Sequence, residues 1–188
     1  SITVKTLQKW KAKYNMTKIG LISDTHSHLD PKVFEYFKDV DEIWHAGDVG
    51  NIEVIQQLAA FKPVRGVYGN IDGNDVRSQY PLDNRFSIEG VDVWITHIGG
   101  YPGKYAGRVR SILQISPPKV FICGHSHILK VMRDPQYNNM LCLNPGAAGI
   151  EGFHKIKTLL RFSIDKGQVK DMEVVEMGKR GALPGLAG

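Results

Sequence analysis

From Lys18 onward, short apolar runs alternate with stretches of helical periodicity. Residues 18–23 (KIGLIS) read as a buried strand ending in the polar loop DTHSHLD. Pro31 then opens a short helix through Phe34, Tyr36 and Phe37, a position where proline is tolerated. DEIWHAG (41–47) is a second strand, and NIEVIQQLAA (51–60) is a helix capped by Asn51. VRGVYG (64–69) is a third strand, followed by the turn sequence NIDGND. This strand–helix alternation predicts a parallel sheet with right-handed crossovers.

The second half is richer in strands. RFSIEGVDVWITH (85–97) reads as a hairpin turning at Glu89–Gly90, and a helix over about 105–115 is stopped by Pro117–Pro118. KVFICG, ILKVMR, MLCLN, KTLLRFSID and QVKDMEVVEM are further strands, the last two joined at Asp165–Lys166–Gly167. About ten strands are more than one open sheet of ordinary size holds. The expected fold class is therefore α/β, two stacked β-sheets flanked by helices. The expected organisation is a basic N-terminal extension over 1–16, one domain over 17–176 and a mobile tail over 177–188.

The chain has 188 residues, 42% of them hydrophobic, enough for one domain with a real core and against global disorder. No apolar run approaches a membrane span, and the first residues lack the apolar core of a secretion signal. The formal charge of +5 invites a nucleic-acid reading, but its distribution opposes one. Residues 1–18 carry five lysines and no acid, leaving 19 basic and 19 acidic groups in the rest. Cys123 and Cys142 each lie within an apolar run and belong to no CxxC pair, so they read as buried thiols of a cytoplasmic protein.

The polar residues that remain fall in five places, each just after a strand. Asp24 and His26 follow the first strand, Asp48 the second and Asn70 the third; His97 follows VDVWIT, and His125 and His127 follow KVFIC. Ligands of α/β sheets bind outside the carboxyl ends of the strands, so these loops are expected on one rim. Seven such groups exceed the needs of one substrate-binding ion, but suit two ions if one carboxylate bridges them. A two-ion clamp serves in-line phosphoryl displacement. Imidazole mixed with carboxylate favours manganese, iron, nickel or zinc over calcium or magnesium. Two divalent ions, two aspartates and a bridging hydroxide leave one positive charge, which attracts a phosphate ester, and neutral Asn70 preserves it.

The runs SDTHSH, HAGDV, YGNID, ITHI and GHSH resemble, in this order, the calcineurin-like metallophosphoesterases. Length and the later Asn144–Pro145–Gly146 are similar to that family's small YfcE-like phosphodiesterase branch. The resemblance implies a four-layer sandwich and one metal held by Asp24, His26, Asp48 and His127. A second would be held by Asp48, Asn70, His97 and His125, with Asp48 bridging. Asp48, Asn70 and His97 are then the catalytic residues, manganese the favoured ion, and a metal-bridging hydroxide the nucleophile. The implied substrate is a small phosphate ester, most simply a diester.

Two positions depart from the family pattern. Ile71 stands where many relatives have His or Cys, and Ile98 where a Gly-His often follows the metal histidine. A hydrocarbon cannot protonate a leaving group, so esters with good leaving groups are expected. The alternative is a non-catalytic scaffold, because the same fold resembles the retromer sorting subunit, which has lost part of the metal set. Among the other histidines, His45 reads as structural, and His28 and His154 as exposed. Neither membrane nor nucleic acid is an expected partner, and self-association stays open.

Overall fold

Alternation inside single strands assigns the layers. In the first strand Ile19 and Leu21 are wholly buried with Val93, Ile95 and Ile122, between two sheets. Ile22, next along, packs instead with Phe37, Ile43 and Leu58 on the helix-covered outer face. Successive side chains of a strand point to opposite faces, so a strand covered on both sides must be apolar at nearly every position. Each such aliphatic side chain contributes roughly 1.5–3 kcal/mol on burial.

The computed structural model describes residues 16–181. The chain runs β1 (Thr17–Ile22), α1 (Lys32–Tyr36), β2 (Glu42–His45), α2 (Ile52–Phe61), β3 (Val64–Gly66), α3 (Asn74–Arg77), β4 (Asp83–Ile88), β5 (Val91–Thr96), α4 (Gly107–Ile115), β6 (Val120–Ile122), β7 (Lys130–Asp134), β8 (Met140–Asn144), β9 (Ile156–Asp165) and β10 (Gln168–Lys179). One sheet has the order β10-β9-β1-β2-β3 and the other β4-β5-β6-β8-β7. Strands β1, β2 and β3 are mutually parallel, as are β5, β6 and β8. The other pairs are antiparallel, so both sheets are mixed. Helices α1 and α2 cover the first sheet; Val109 and Leu113 of α4 cover the second, against Trp94, Phe121 and Met140. The stacked-sheet expectation is met.

Local details follow their residues. The Asn51 side chain accepts a hydrogen bond from Glu53 N (3.0 Å), capping α2 as expected. Glu89–Gly90 and Lys166–Gly167 all have positive φ, as two-residue hairpin turns require. The two tips meet where Gly167 N donates to the Glu89 carbonyl (2.7 Å).

Three expectations shift. The third strand ends at Gly66 rather than Gly69, because Tyr68 N leaves the sheet for the Pro81 carbonyl (3.0 Å). The turn sequence NIDGND ends in the short helix α3. Strand β10 continues to Lys179, past the expected domain end at 176, by pairing Gly178 with Lys157 and Lys179 with Ile156. The basic extension, apart from Met16, and residues 182–188 lie outside the described residues.

One buried ion pair joins the fold to the loop that follows β1. Lys157 Nζ, at the start of β9, donates to Asp30 Oδ2 (2.5 Å), and both side chains are nearly solvent-free. Burial opposes ionisation of Asp30, but Lys157 and the Lys32 backbone N–H hold its carboxyl below the usual range. Replacing Lys157 by Met strands that charge, so urea unfolding at neutral pH should show a loss of about 3–5 kcal/mol. The loss should shrink as the pH falls toward 4, where Asp30 in the variant takes up a proton.

Candidate metal centre

The loops after β1 and β2 are zipped together by backbone bonds that prolong the sheet. Asp24 N donates to Gly47 O (3.0 Å), His26 N to Asp48 O (3.1 Å) and Ser27 N to Val49 O (2.9 Å). The second sheet joins at the same rim, where Gly124 N donates to His97 O (3.0 Å) and His125 N to Asp24 Oδ2 (3.1 Å). Asp24, His26, Asp48, His125 and His127 all have positive φ, a region costly for residues with a Cβ. Gly47, at φ +97, allows the approach of His97: a Cβ there would stand 2.6 Å from His97 Nδ1. A Cβ at Gly124 would stand 2.7 Å from Asp24 Oδ2.

Six of the seven residues singled out in the sequence form two groups whose donor atoms lie within 4.8 Å of one another. One is Asp24, His26 and His127; the other is Asp48, His97 and His125. The groups adjoin, with His26 Nε2 3.5 Å from Asp48 Oδ2 and His97 Nε2 3.9 Å from Asp24 Oδ1. Asn70, the seventh, lies on the loop that wraps Asp48: Ile71 N donates to Asp48 Oδ1 (3.0 Å), and a Cβ on Gly69 would collide with that carboxylate.

Three buried atoms here have no hydrogen-bond partner among the described residues: Asp24 Oδ1, His26 Nε2 and His97 Nε2. Buried polar atoms are normally satisfied, so three orphans facing one another call for a cation. Carboxylate and imidazole donors fit a divalent transition ion.

Hydrogen bonds aim the rings. His97 Nδ1 donates to the Ala46 carbonyl (2.7 Å), which turns Nε2 toward Asp48 Oδ2 at 3.1 Å. His154, expected to be exposed, is half-buried against the centre. Its Nε2 donates to the Gly149 carbonyl (2.8 Å), so its Nδ1 is an acceptor for His127 Nδ1–H (3.3 Å). That turns His127 Nε2 toward Asp24 Oδ1 at 3.2 Å. His45 is buried and structural: Gly47 N donates to its Nδ1, and its Nε2 donates to Thr25 Oγ1. His28 is half-buried and belongs to neither group.

Sequence reasoning also passed over two supports. Asp72, which the sequence presents only within the turn NIDGND, is buried and accepts from Gly50 N (2.8 Å) and Gly69 N (2.7 Å), clamping two of the site loops. Asn144 donates to Gly124 O (2.9 Å) and Ser126 Oγ (3.1 Å), holding the GHSH loop.

Charge follows geometry. Burial opposes ionisation of Asp24, yet His127, His26, the His97 charge and the Ser23 hydroxyl hold its carboxyl far below the usual range. Burial likewise opposes ionisation of Asp48, and the His97 ring and the Ile71 N–H outweigh it. Asp24 raises the His26 imidazole; His97 is raised against its own burial by Asp48 and Asp24. Burial pushes His45 down to about 4. The two carboxylates thus draw the His26 and His97 rings toward their protonated forms.

Residues 17–167 match the calcineurin-like phosphoesterase superfamily domain, and the chain belongs to that superfamily. It is 30% identical over 167 residues to a probable metallophosphoesterase of Methanothermobacter thermautotrophicus, covering 85% of this chain and 92% of the relative. It is 30% identical over 149 residues to a phosphodiesterase of Methanocaldococcus jannaschii, covering 69% and 82%. An archaeal phosphodiesterase of known structure superposes with a TM-score of 0.66 at 23% identity, over 86% of this chain and 100% of that one. Zinc-bound Vps29 from Entamoeba histolytica gives 0.64 at 19% identity, over 85% and 99%. These two structures share the fold.

Two outcomes test this geometry. The raised His26 and His97 stabilise the metal-free protein fully below about pH 6.5, the free histidine value, and that contribution is lost as the pH rises through their raised values. Neutral burial of His45 acts oppositely below pH 6.5. Melting temperatures of chelator-treated protein should thus fall from pH 6.5 to 9, and a divalent ion should abolish the fall. Separately, His154→Ala should weaken divalent-ion binding, read by calorimetry, by about 10–100-fold, because His127 loses the partner that fixes its ring.

Proposed function

We propose that this protein is a metal-dependent phosphodiesterase that holds two divalent ions. The observation that carries the reading is the pair of adjoining carboxylate–imidazole groups with three orphaned buried donor atoms between them. Asp24, His26, His127 and Asp48 would hold one ion, and Asp48, Asn70, His97 and His125 the other. Manganese is the favoured ion, with nickel, iron and zinc as substitutes, since the donor set is of borderline softness. Bound ions would polarise the phosphoryl group and lower the pKa of an attacking water toward about 7.

The chain's own residues then have defined parts. Asp48 lies between the two groups, and its second oxygen is fixed by Ile71 N, so the carboxylate cannot swing away from either. Asn70 adds a ligand without adding charge, which keeps the centre attractive to a phosphate ester anion. Ile71 is 46% exposed beside Asn70 and has no proton to give. Substrates are therefore small phosphate esters whose leaving groups depart without a side-chain acid. The buried, unpaired thiols of Cys123 and Cys142 agree with a reducing compartment such as the cytoplasm.

A second reading, a metal-binding scaffold without turnover, is supported by the fold likeness to Vps29 and by Ile71. The two separate cleanly. Metal-stripped protein reloaded with manganese, nickel or zinc should hydrolyse bis-p-nitrophenyl phosphate faster than p-nitrophenyl phosphate. Asp48→Asn should lose more than about a hundredfold in kcat/KM, since even partners outside the ligand set are worth 10–100-fold. Two bound ions per chain with no turnover of either ester would select the scaffold.

A further inference from the structure

Beside the second group lies a pocket of about 270 Å³, walled by Ile98, Tyr101 and Lys104 from the loop after β5, by His125 and Ser126, and by Lys130 at the start of β7. His125 belongs both to this wall and to the group with Asp48 and His97. A substituent on a phosphate held at the centre therefore has this space within a few bonds.

The polar lining is one-sided. Among the described residues its lining includes Lys104 and Lys130 and no carboxylate. The Lys130 ammonium stands 4.2 Å from the Tyr101 ring centroid, an arrangement that holds the charge at the wall. Ser126 Oγ accepts from Asn144 Nδ2 (3.1 Å) and Ile128 N (3.3 Å), which leaves its hydroxyl proton to be donated elsewhere. The Tyr105 hydroxyl is spent inside the protein, donating to buried Asp134 Oδ2 (2.6 Å). An ammonium group held at the wall, a second lysine in the lining and a free hydroxyl proton together suit an anion. The volume falls just below the roughly 300–1,000 Å³ of drug-sized ligand pockets, so it suits a short acid-bearing group rather than a nucleoside with its base.

We propose that this pocket binds a second anionic group of the substrate, a carboxylate or phosphate on the ester's own alcohol, and thereby selects anionic phosphate esters over neutral or cationic ones. The proposal rests on the phosphoesterase reading above. Ion pairing by Lys104 and Lys130, and the Ser126 O–H bond, act at the substituent and leave the reacting phosphorus to the metal centre.

Two substrate pairs differing only by a carboxylate test it on the metal-loaded full chain: glycerophosphoserine against glycerophosphoethanolamine, and O-phosphoserine against O-phosphoethanolamine, followed by phosphorus NMR. The serine member should be favoured in kcat/KM by at least about tenfold, the scale of one charge-assisted hydrogen bond. Lys104→Ala with Lys130→Ala should bring that ratio near one at an unchanged melting temperature, and Lys130→Arg alone should retain it. Turnover of bis-p-nitrophenyl phosphate with a wild-type ratio near one, or a ratio indifferent to the lysines, overturns the pocket alone. Absence of turnover of bis-p-nitrophenyl phosphate by two-ion protein overturns the phosphoesterase reading, and the subsite with it.

Discussion

A carboxylate with no solvent exposure sits where the two sheets meet, and the rest of the site is arranged around its charge. Asp24 Oδ2 takes bonds from the Ser23 hydroxyl (2.6 Å) and from His125 N (3.1 Å), one from each sheet's rim. Among the described residues its other oxygen has no hydrogen bond, and it looks toward His26, His97 and His127. A buried charge left so is untenable alone and must meet protons or a cation. Asp24 draws the His26 and His97 rings toward their protonated forms, and divalent ions would meet the same demand.

That arrangement is held by backbone rather than by side-chain packing. Five of the site residues adopt left-handed backbone, a strain the loops sustain because each is anchored on both sides. The first two loops continue the β1–β2 ladder beyond its last strand residues, and Ala148 N and Gly149 N fasten a third segment to Ser23 O and Asp24 O. Asp72 and Asn144 clamp the remaining loops from behind. A site so fixed before ligand arrives loses little in reorganisation when charge develops on a phosphoryl group.

How far this was legible in the sequence depends on distance along the chain. Each of the seven candidate residues follows an apolar run that forms a strand, and the D-x-H and H-x-H spacings are local, so the rim is legible in the sequence. The layering was also legible, because strands such as KIGLIS and VFIC are apolar on both faces. Contacts between distant segments were not. His154 meets His127 only because the loop after β8 folds back over the first motif. The Asp30–Lys157 pair spans 127 positions with nothing local to announce it. Asp72 stands in the sequence only as part of a turn, whereas its role comes from backbone N–H groups that no side-chain pattern displays. The end of β10 was misplaced for a related reason: its last residues gain their strand from pairing with β9, not from their own apolarity.

The proposed chemistry depends on two ions binding side by side on the two adjoining groups. Anomalous X-ray diffraction from crystals of the manganese- or zinc-loaded protein tests it most directly. Two anomalous peaks are expected roughly 3.5–4 Å apart, one contacting Asp24, His26 and His127 and the other Asp48, His97 and His125, as a two-metal site requires. One peak, or peaks away from these residues, would contradict it.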